Sequence, residues 1–253
     1  MLRVMTLNIV HGTRVPLPAK LFGGTQVKRN LDRIAQVLAR EEPQLLALQE
    51  ADGGGAVDRV RYLARAGGFD AYFHDGRRAP GTTMRHGAAL VSRLGLGMPS
   101  SDAFGTGFTD NRGWVLATPV VPEFGGRDID VVSVHLDPFR ERTRQKQIRD
   151  LVAGLTAVRA AGKRPLIVMG DLNCRWHGEG EGVGLLAAQL GLHGHKVNQA
   201  DPSYAYAGVR RRLDWILVSS ELEFVRHRTL PERISDHRAV VADLRLSRPA
   251  KKR

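Results

Sequence analysis

At positions 166–173 the chain reads Leu166-Ile167-Val168-Met169-Gly170-Asp171-Leu172-Asn173. The apolar run at its start predicts a strand that is buried on both faces. Asp171 and Asn173 follow at the C-terminal end, where the alternation of an extended chain places them on one side. Binding sites of α/β sheets tend to form at this end of the strands. The stretch therefore predicts an α/β protein with its chemistry at the end of a central strand.

Apolar strands of this kind recur along the chain and alternate with amphipathic helices. Strands are predicted at 2–9, 45–50, 87–92, 112–119, 129–136, 165–170, 213–218 and 239–245. Helices are predicted at 27–41, 56–67, 140–161 and 181–191. Three long loops are predicted at 10–26, 174–182 and 201–212, and such loops are more often binding elements than padding. The simplest division is one domain over 1–247 with a short basic tail at 248–253.

Most of the predicted strands begin or end with a polar residue that can take part in chemistry. These residues are Asn8, Glu50, His135, Asp171, Asn173, Asp214, Asp236 and His237. Carboxylate and amide oxygens suit Mg²⁺ or Mn²⁺, and imidazoles transfer protons near neutral pH. A carboxylate behind an imidazole fixes its tautomer, as Asp214 could do for His237. Each residue alone has an ordinary explanation as a turn, a cap or a core residue. The combination is what indicates a site that holds a metal and handles protons.

The charge of the chain favours a polyanionic partner. Its 253 residues contain 38 Lys and Arg against 26 Asp and Glu, a formal net charge of +12. Nucleic acid, an anionic membrane surface and a phosphorylated metabolite all fit this balance. Most of the excess is arginine, so the coding composition of the source genome is an equally good explanation.

The compartment is predicted to be the cytoplasm. Cys174 is the single cysteine, which excludes an intrachain disulfide and fits a reducing environment. No apolar run approaches the roughly 20 residues of a membrane helix. The N-terminal residues alternate like a strand and do not resemble a signal peptide.

Six short segments together resemble the endonuclease/exonuclease/phosphatase superfamily, which includes deoxyribonuclease I and exonuclease III-like enzymes. They are Thr6-Leu7-Asn8, Leu48-Gln49-Glu50, Ser133-Val134-His135-Leu136, Gly170-Asp171-Leu172-Asn173, Arg212-Leu213-Asp214-Trp215-Ile216 and Ser235-Asp236-His237. They occur in the family's order and span nearly the whole chain. The resemblance implies an α/β (α+β) fold, a four-layered αββα sandwich of two mixed β-sheets flanked by helices.

The resemblance also implies a role for each residue in a hydrolysis of phosphoester bonds. Glu50 would be the principal ligand of Mg²⁺ or Mn²⁺, with Asn8 and Asp236 beside it. Asp171 would orient or deprotonate the attacking water, and Asn173 would hold a phosphate oxygen. The remaining implied roles are transition-state stabilisation by His237 backed by Asp214, contact with the scissile phosphate by His135, and a phosphate or metal-ligand contact by Arg112. Arg144 and Gln147 resemble a pattern that begins the following helix.

The substrate stays open between two classes of phosphoester, with a nuclease slightly preferred. A nuclease is supported by the charge and by a loop with aromatic and guanidinium groups for bases and backbone, Tyr204, Tyr206, Arg210, Arg211 and Arg212. The continuation Ile9-Val10-His11-Gly12 departs from that of abasic-site endonucleases. The alternative is a phosphoesterase for a phospholipid headgroup, an inositol phosphate or a nucleotide-like metabolite. The apolar residues for membrane contact would be Val15, Leu17, Leu21 and Phe22. A catalytically inactive binding module is the remote alternative, and the oligomeric state is open.

Overall fold

A computed structural model describes residues 1–14, 24–52, 58–78, 85–105, 112–160, 162–178, 180–199 and 201–248. The four apolar residues proposed for membrane contact, at positions 15, 17, 21 and 22, lie outside these residues. So do residues 249–253 of the basic tail. No helix in the described part of the chain is long and apolar enough to cross a membrane.

Two six-stranded sheets form the centre of the structure, and strands are numbered here in chain order. The first sheet consists of β1 (Leu2–Asn8), β2 (Leu45–Gln49), β3 (Ala71–Arg78), β4 (Arg85–Ser92), β15 (Leu222–Thr229) and β16 (Val240–Leu246). Their order across the sheet is β15-β16-β1-β2-β4-β3. The second sheet consists of β5 (Ser100–Ala103), β6 (Gly113–Ala117), β9 (Asp130–His135), β10 (Leu166–Asp171), β11 (Leu192–Gly194) and β14 (Asp214–Ser219). Their order is β11-β14-β10-β9-β6-β5.

Two short hairpins lie outside the main sheets. One pairs β7 (Val120–Val121) with β8 (Arg127–Asp128), and the other pairs β12 (Tyr204–Tyr206) with β13 (Val209–Arg211). The second hairpin falls within 201–212, which the sequence analysis predicts to be a loop, and that prediction is wrong for residues 204–211. Tyr206–Val209 closes the hairpin through Ala207 and Gly208, both at positive φ. Such a left-handed pair matches the twist of a tight hairpin.

Four helices cover the outer faces of the two sheets. They are α1 (Gly24–Glu41), α2 (Arg59–Ala66), α3 (Glu141–Val158) and α4 (Gly182–Leu190). One apolar core joins α1 and α2 to the first sheet, and another joins α3 and α4 to the second. A third core lies between the sheets. The layers therefore run helix, sheet, sheet, helix, and the predicted αββα sandwich is confirmed.

The predicted buried strands and all four helices are present, with ends shifted by a few residues. The sequence analysis missed several strands at or near the edges of the sheets, β3, β5, β11 and β15. The strand β15 shows the reason. It pairs on one side only, with β16, and its exposed positions carry Arg226 and Val225 without a regular alternation. An edge strand of this kind has no apolar pattern for a sequence reading to detect.

The imidazole of His227 on β15 makes stability depend on pH. Its ring stacks on His195 at 5.0 Å, and its Nε2 atom is buried without a hydrogen-bond partner. Burial, aided by the charges of Arg212 and His195, lowers the pKa of His227 to about 4. An unfolded imidazole binds its proton near pH 6.5. The folded state therefore loses stability as the pH falls from about 6.5 to about 4, because only the unfolded chain takes up the proton.

We expect His227→Phe to flatten the dependence of stability on pH in this window. The phenyl ring keeps the packing of the imidazole but does not titrate. The decrease in the free energy of unfolding on acidification, about 1–3 kcal/mol in the wild type, should therefore be smaller in the variant. Urea unfolding of both proteins at pH 7 and at pH 4.5 measures the effect. His177→Phe, at an exposed position, serves as the control for losing an imidazole. Equal pH dependence in wild type and His227→Phe would contradict the prediction.

Candidate active site

Asp171 lies at the centre of a polar cluster at one end of the two sheets. Strands β9 and β10 are parallel, and their register places His135 beside Asp171. Strand β14 runs antiparallel to β10 and places Asp214 on the other side of Asp171. The His135 Nε2 atom is 3.4 Å from Asp171 Oδ2. Backbone pairing alone thus brings together three polar side chains from three separate parts of the chain.

Asn8 connects this cluster to the first sheet. Its Nδ2 atom donates to Asp171 Oδ2 at 3.0 Å and lies 3.4 Å from Glu50 Oε1. Its Oδ1 atom accepts a hydrogen bond from the Val10 amide. Beneath it, the buried Gln49 donates to Ser133 Oγ at 3.1 Å across the two sheets. The two C-terminal strand ends are therefore joined by hydrogen bonds, which fixes the separation of Glu50 and Asp171.

His237 and Asp214 form a buried hydrogen-bonded pair. The His237 Nδ1 atom lies 2.7 Å from Asp214 Oδ2, and His237 Nε2 lies 3.6 Å from Asp171 Oδ2. Ser203 Oγ accepts the amides of Leu213 and Asp214, which holds the start of β14 in place. The hydrogen bond to Asp214 orients the imidazole so that Nε2 faces Asp171.

Tyr204 and Asp236 complete this side of the site. The ring of Tyr204 meets His237 edge-on with centroids 5.0 Å apart, and an isolated bridge pairs the two residues. Ser235 Oγ donates to Asp236 Oδ1 at 3.1 Å and accepts the amide of His237. The backbone of Ser235-Asp236-His237 is thereby held as a tight turn, with its two polar side chains on the cluster.

Arg112, just before β6, hydrogen-bonds to the ring of His135 and lies 3.6 Å from Glu50 Oε1. The side chain of Glu50 is 21% exposed, whereas those of His135 and Asp171 are buried. Glu50 is thus the carboxylate of this group that is accessible to solvent, and His135 and Asp171 lie buried beside it.

The backbone of the site has two unusual positions. Glu50 and Asn173 both have positive φ, near 50°, although neither is glycine. Left-handed backbone at such residues is a frequent feature of functional sites.

Burial and neighbouring charges shift the pKa values of these groups in different directions. Burial would raise the pKa of Glu50, but the charges of Arg112 and His11 outweigh it, so the net shift is downward. Burial raises the pKa of Asp171 to about 7, with Asp214 acting in the same direction. Burial would lower the pKa of His237, but the carboxylates of Asp214 and Asp171 raise it to about 10. The site therefore combines an anionic Glu50, an imidazolium at His237 and a basic carboxyl at Asp171.

The pKa of His135 moves in the opposite direction to that of His237. Burial, followed by the charges of Arg112 and His237, lowers it well below its ordinary value. His135 is consequently a neutral imidazole at pH 7. Two histidines whose Nε2 atoms lie 3.4 and 3.6 Å from Asp171 Oδ2 thus have different protonation states, which suits groups with separate proton-transfer roles.

Two groups of ligand atoms in the cluster suit a cation. Asp171, Asp214 and His237 offer atoms within 4.8 Å of one another. In this group His237 is an imidazolium and its Nδ1 already bonds Asp214, so it has no lone pair for a metal. The second group consists of the carboxylates of Glu50 and Asp236, which are oxygen ligands of the kind that Mg²⁺ or Mn²⁺ takes, and Glu50 is anionic and reaches solvent. The amide oxygen of Asn8 accepts the Val10 amide, and its Nδ2 atom faces Glu50 and Asp171.

Three residues predicted to bind substrate lie further from the cluster. Tyr206 is on the hairpin β12–β13, and Arg210 is exposed on β13. Arg212 is buried: it donates to the carbonyls of Lys196 and His195 and stacks on Trp215 at 4.1 Å. These bonds favour a structural role for Arg212. The sequence analysis predicts a substrate contact for Arg212 because it belongs to the loop with Tyr204, Tyr206 and Arg210.

The sequence analysis did not identify His11 as a member of the site. His11 Nε2 lies 3.4 Å from Glu50 Oε2, and its Nδ1 atom lies 2.9 Å from Asp52 Oδ1. Asp52 in turn pairs with Arg59 at 3.0 Å. The sequence could have indicated His11 by its position, because His11 follows Asn8 by three residues and Asp52 follows Glu50 by two.

Arg144 and Gln147, which resemble a pattern of the family, hold the loop after β9. The Arg144 guanidinium donates to the Asp137 carbonyl, and Gln147 accepts the Asp137 amide.

The sequence of the chain matches a known protein family. The family model described as "Endonuclease/Exonuclease/phosphatase family" matches residues 6–237, from the end of β1 to the His237 turn. The chain belongs to this family. Members of the endonuclease/exonuclease/phosphatase family hydrolyse phosphoester bonds and typically use divalent metals. The resemblance drawn from the six segments is confirmed.

Solved structures of family members share the fold. An endonuclease/exonuclease/phosphatase from Beutenbergia cavernae DSM 12333 is 23% identical with a TM-score of 0.70, over 97% of this chain and 71% of that one. The human Nocturnin catalytic domain is 24% identical with a TM-score of 0.69, over 97% and 94%. Sphingomyelinase C from Streptomyces griseocarneus is 18% identical with a TM-score of 0.68, over 95% and 98%. A comparison with curated proteins finds no match. At these identities the likeness concerns the fold alone.

Proposed function

We propose that this family member is a divalent-metal-dependent phosphoester hydrolase in which water attacks phosphorus in line with the leaving oxygen. The observation that carries the proposal is the contact between the sheets, where Asn8 donates to Asp171 Oδ2 at 3.0 Å and also faces Glu50. This contact brings a basic carboxyl next to an anionic, solvent-facing one. The arrangement suits activation of water beside a bound cation and phosphate.

Glu50, Asn8 and Asp236 would hold the Mg²⁺ or Mn²⁺ ion. When bound, such an ion neutralises phosphate oxygens and stabilises the charge that develops on them. Asp171 would orient the attacking water and take its proton, since its raised pKa makes it a stronger base than an ordinary aspartate. Asn173, whose amide nitrogen already donates to the Leu136 carbonyl, has a second N–H for a phosphate oxygen.

The two histidines would have separate roles at the phosphate. His237, held as an imidazolium by Asp214, would donate a hydrogen bond to a phosphoryl oxygen as negative charge builds up there. His135, neutral and bonded to Arg112, would contact the scissile phosphate. Arg112 adds a guanidinium close to Glu50, where it can bind a phosphate oxygen.

Among phosphoesters, a nucleic-acid phosphodiester is the preferred substrate. The net charge of +12 supports a polyanion, and Tyr204 packs against His237, where an aromatic ring can stack on a base. The alternative, a phospholipid headgroup, inositol phosphate or nucleotide-like metabolite, is supported by the shared fold with sphingomyelinase C. The apolar residues that would favour membrane contact lie outside the described residues.

One assay panel tests the function and separates these substrates. It would contain supercoiled plasmid, abasic-site duplex, RNA, bis-p-nitrophenyl phosphate, p-nitrophenyl phosphate and sphingomyelin vesicles, each with Mn²⁺, Mg²⁺ or EDTA. We expect EDTA-sensitive nicking of the plasmid that weakens steeply with salt. Hydrolysis of small esters or sphingomyelin without any cleavage of nucleic acid would favour the alternative. No hydrolysis of any substrate would contradict the proposal.

Glu50→Gln is expected to weaken metal binding selectively. The amide keeps the shape of the side chain but loses its negative charge, so the Mn²⁺ concentration for half-maximal activity should rise by about 10²-fold or more. Titration of activity against Mn²⁺, together with calorimetric Mn²⁺ binding, measures the change. Glu42→Gln removes an exposed carboxylate next to β2 and is the matched control. An unchanged Mn²⁺ affinity in Glu50→Gln would remove Glu50 from the metal site.

A further inference from the structure

Two cavities with two lining residues in common lie beside the active site on the side of Asn173. The smaller, of about 170 Å³, is lined by Asn173 and by Arg144 from the start of α3. The larger, of about 620 Å³, extends from there towards Trp176 and the residues before the hairpin β12–β13. Arg175 and Arg211 line both cavities and mark their junction. The backbone N–H of Asn173 donates to Asp171 Oδ1 at 3.0 Å, so the smaller cavity begins next to the centre of the site.

The charge in these cavities is strongly positive. Of the residues that the structure describes, five arginines line the two cavities together, against two carboxylates, Glu141 and Asp201. Within the described ranges, neither Arg175 nor Arg211 takes part in an ion pair or a side-chain hydrogen bond, and both are exposed. By contrast, the Asp201 carboxylate already accepts a hydrogen bond from Thr229. Two unpaired guanidinium groups at the junction form a site for an anionic group such as a phosphate.

The larger cavity also has an aromatic wall and amide side chains. Trp176 is half-buried and packs against Trp215, with ring centroids 6.0 Å apart at 50°. Asn198 and Gln199 line the same cavity and offer donors and acceptors for a base edge. Among the described lining residues, Val197 and Pro202 are the aliphatic ones. This lining suits a planar polar group better than an acyl chain.

We propose that the two cavities form a trough that binds the nucleotide next to the scissile phosphate of a nucleic-acid strand. The phosphate of that nucleotide lies at the junction between Arg175 and Arg211, and its base lies against Trp176 in the larger cavity. A volume of about 620 Å³ is within the range of small-ligand sites and is sufficient for one nucleotide. The inference rests on the proposed function, because it assigns the scissile phosphate to the cluster around Asp171.

Fluorescence tests the trough without any catalysis. Trp114 and Trp215 are buried, at 3% and 1% exposure, and Trp215 also lines the larger cavity. Trp176 is half-buried and is therefore the most accessible tryptophan of the trough. A short single-stranded oligonucleotide, added in EDTA to prevent cleavage, should quench tryptophan emission in a saturable manner. Trp176→Phe should lose most of that signal. Trp176→Ala should raise the dissociation constant, measured with a labelled oligonucleotide, by about 5- to 100-fold.

Arginine variants test the same site by activity. Arg175→Ala and Arg211→Ala should each raise KM for an oligonucleotide by about 5- to 10-fold and reduce the salt slope of binding by about one. Their turnover of bis-p-nitrophenyl phosphate, which has no second phosphate for the junction to bind, should fall much less than their activity on the oligonucleotide. Arg127→Ala is the control for losing one positive charge. Arg127 is exposed on β8, near the N-terminal end of β9, whereas the active site is at the C-terminal end of that strand.

Three results would overturn the trough. The first is an equal loss of activity on the small ester and the oligonucleotide, which would place the arginines in the reaction itself. The second is no quenching by oligonucleotides in EDTA. The third is a loss of activity in the two arginine variants on phosphoinositide or sphingomyelin vesicles but not on the oligonucleotide, which would make the trough a lipid headgroup site. Activity on the small ester with no oligonucleotide binding would reject the trough and keep the proposed function. Oligonucleotide quenching without hydrolysis of any ester would reject the function and keep a nucleotide site.

Discussion

Asp171→Asn is expected to lower kcat by about 10³- to 10⁴-fold on every phosphoester that the protein hydrolyses. The asparagine keeps the size of the side chain and can still accept the hydrogen bond from Asn8. It cannot take a proton from water, and it removes one of the two carboxylates that keep His237 protonated. One substitution thus removes the proposed general base and also lowers the pKa of His237. Steady-state kinetics with bis-p-nitrophenyl phosphate and saturating Mn²⁺ measure the loss.

The fold of Asp171→Asn should be as stable as that of the wild type, or more stable, at pH 8. Burial raises the pKa of Asp171 to about 7, so holding the carboxylate charged above that pH costs folding free energy. Thermal unfolding at pH 8 checks this, and Asp150→Asn on the exposed face of α3 is the matched control. Activity within about 10-fold of wild type would exclude Asp171 as the general base.

Gly170→Ala is expected to destabilise the fold by about 3 kcal/mol or more. A Cβ atom at Gly170 would lie 1.9 Å from the carbonyl oxygen of Val134 on the neighbouring strand β9, and Gly170 has a φ of +153°. The clash is with backbone, so it can be relieved only if β9 and β10 move apart. Because the next residue in both strands belongs to the active site, His135 and Asp171 would move with them.

Thermal and urea unfolding measure this effect. In a chain of this size a loss of about 3 kcal/mol corresponds to a fall in Tm of about 6–12 °C. Gly95→Ala is the control, since a Cβ atom there has no neighbour within 4 Å. A variant that fails to accumulate as folded protein agrees with the prediction. A Tm within about 2 °C of wild type would show that the strands can separate at little cost.

The chemistry of the site could be predicted from local sequence because each residue directly follows or begins an apolar strand. The C-terminal ends of parallel strands meet at the same edge of a sheet, which places His135 beside Asp171, and Glu50 reaches them from the other sheet through Asn8. The assignment of roles to these residues remains a prediction. The edge strands could not be predicted, since β15 pairs on one side only and carries charges on exposed positions. His11 was missed because its contacts with Glu50 and Asp52 depend on how two loops meet.

The sequence by itself determined the family, because its short motifs resemble those of that family, and this resemblance implied the layered fold. The periodicity of apolar residues predicted the buried strands, the helices and the polar residues at the strand ends. Only the tertiary structure decided which groups meet. It turned Arg212 inward onto Trp215, packed Tyr204 against His237, and left Arg175 and Arg211 unpaired beside Asn173. The physical reason is that strand register and sheet packing are non-local. The hydrogen bond from Asn8 to Asp171 spans 163 residues, and no local pattern specifies it.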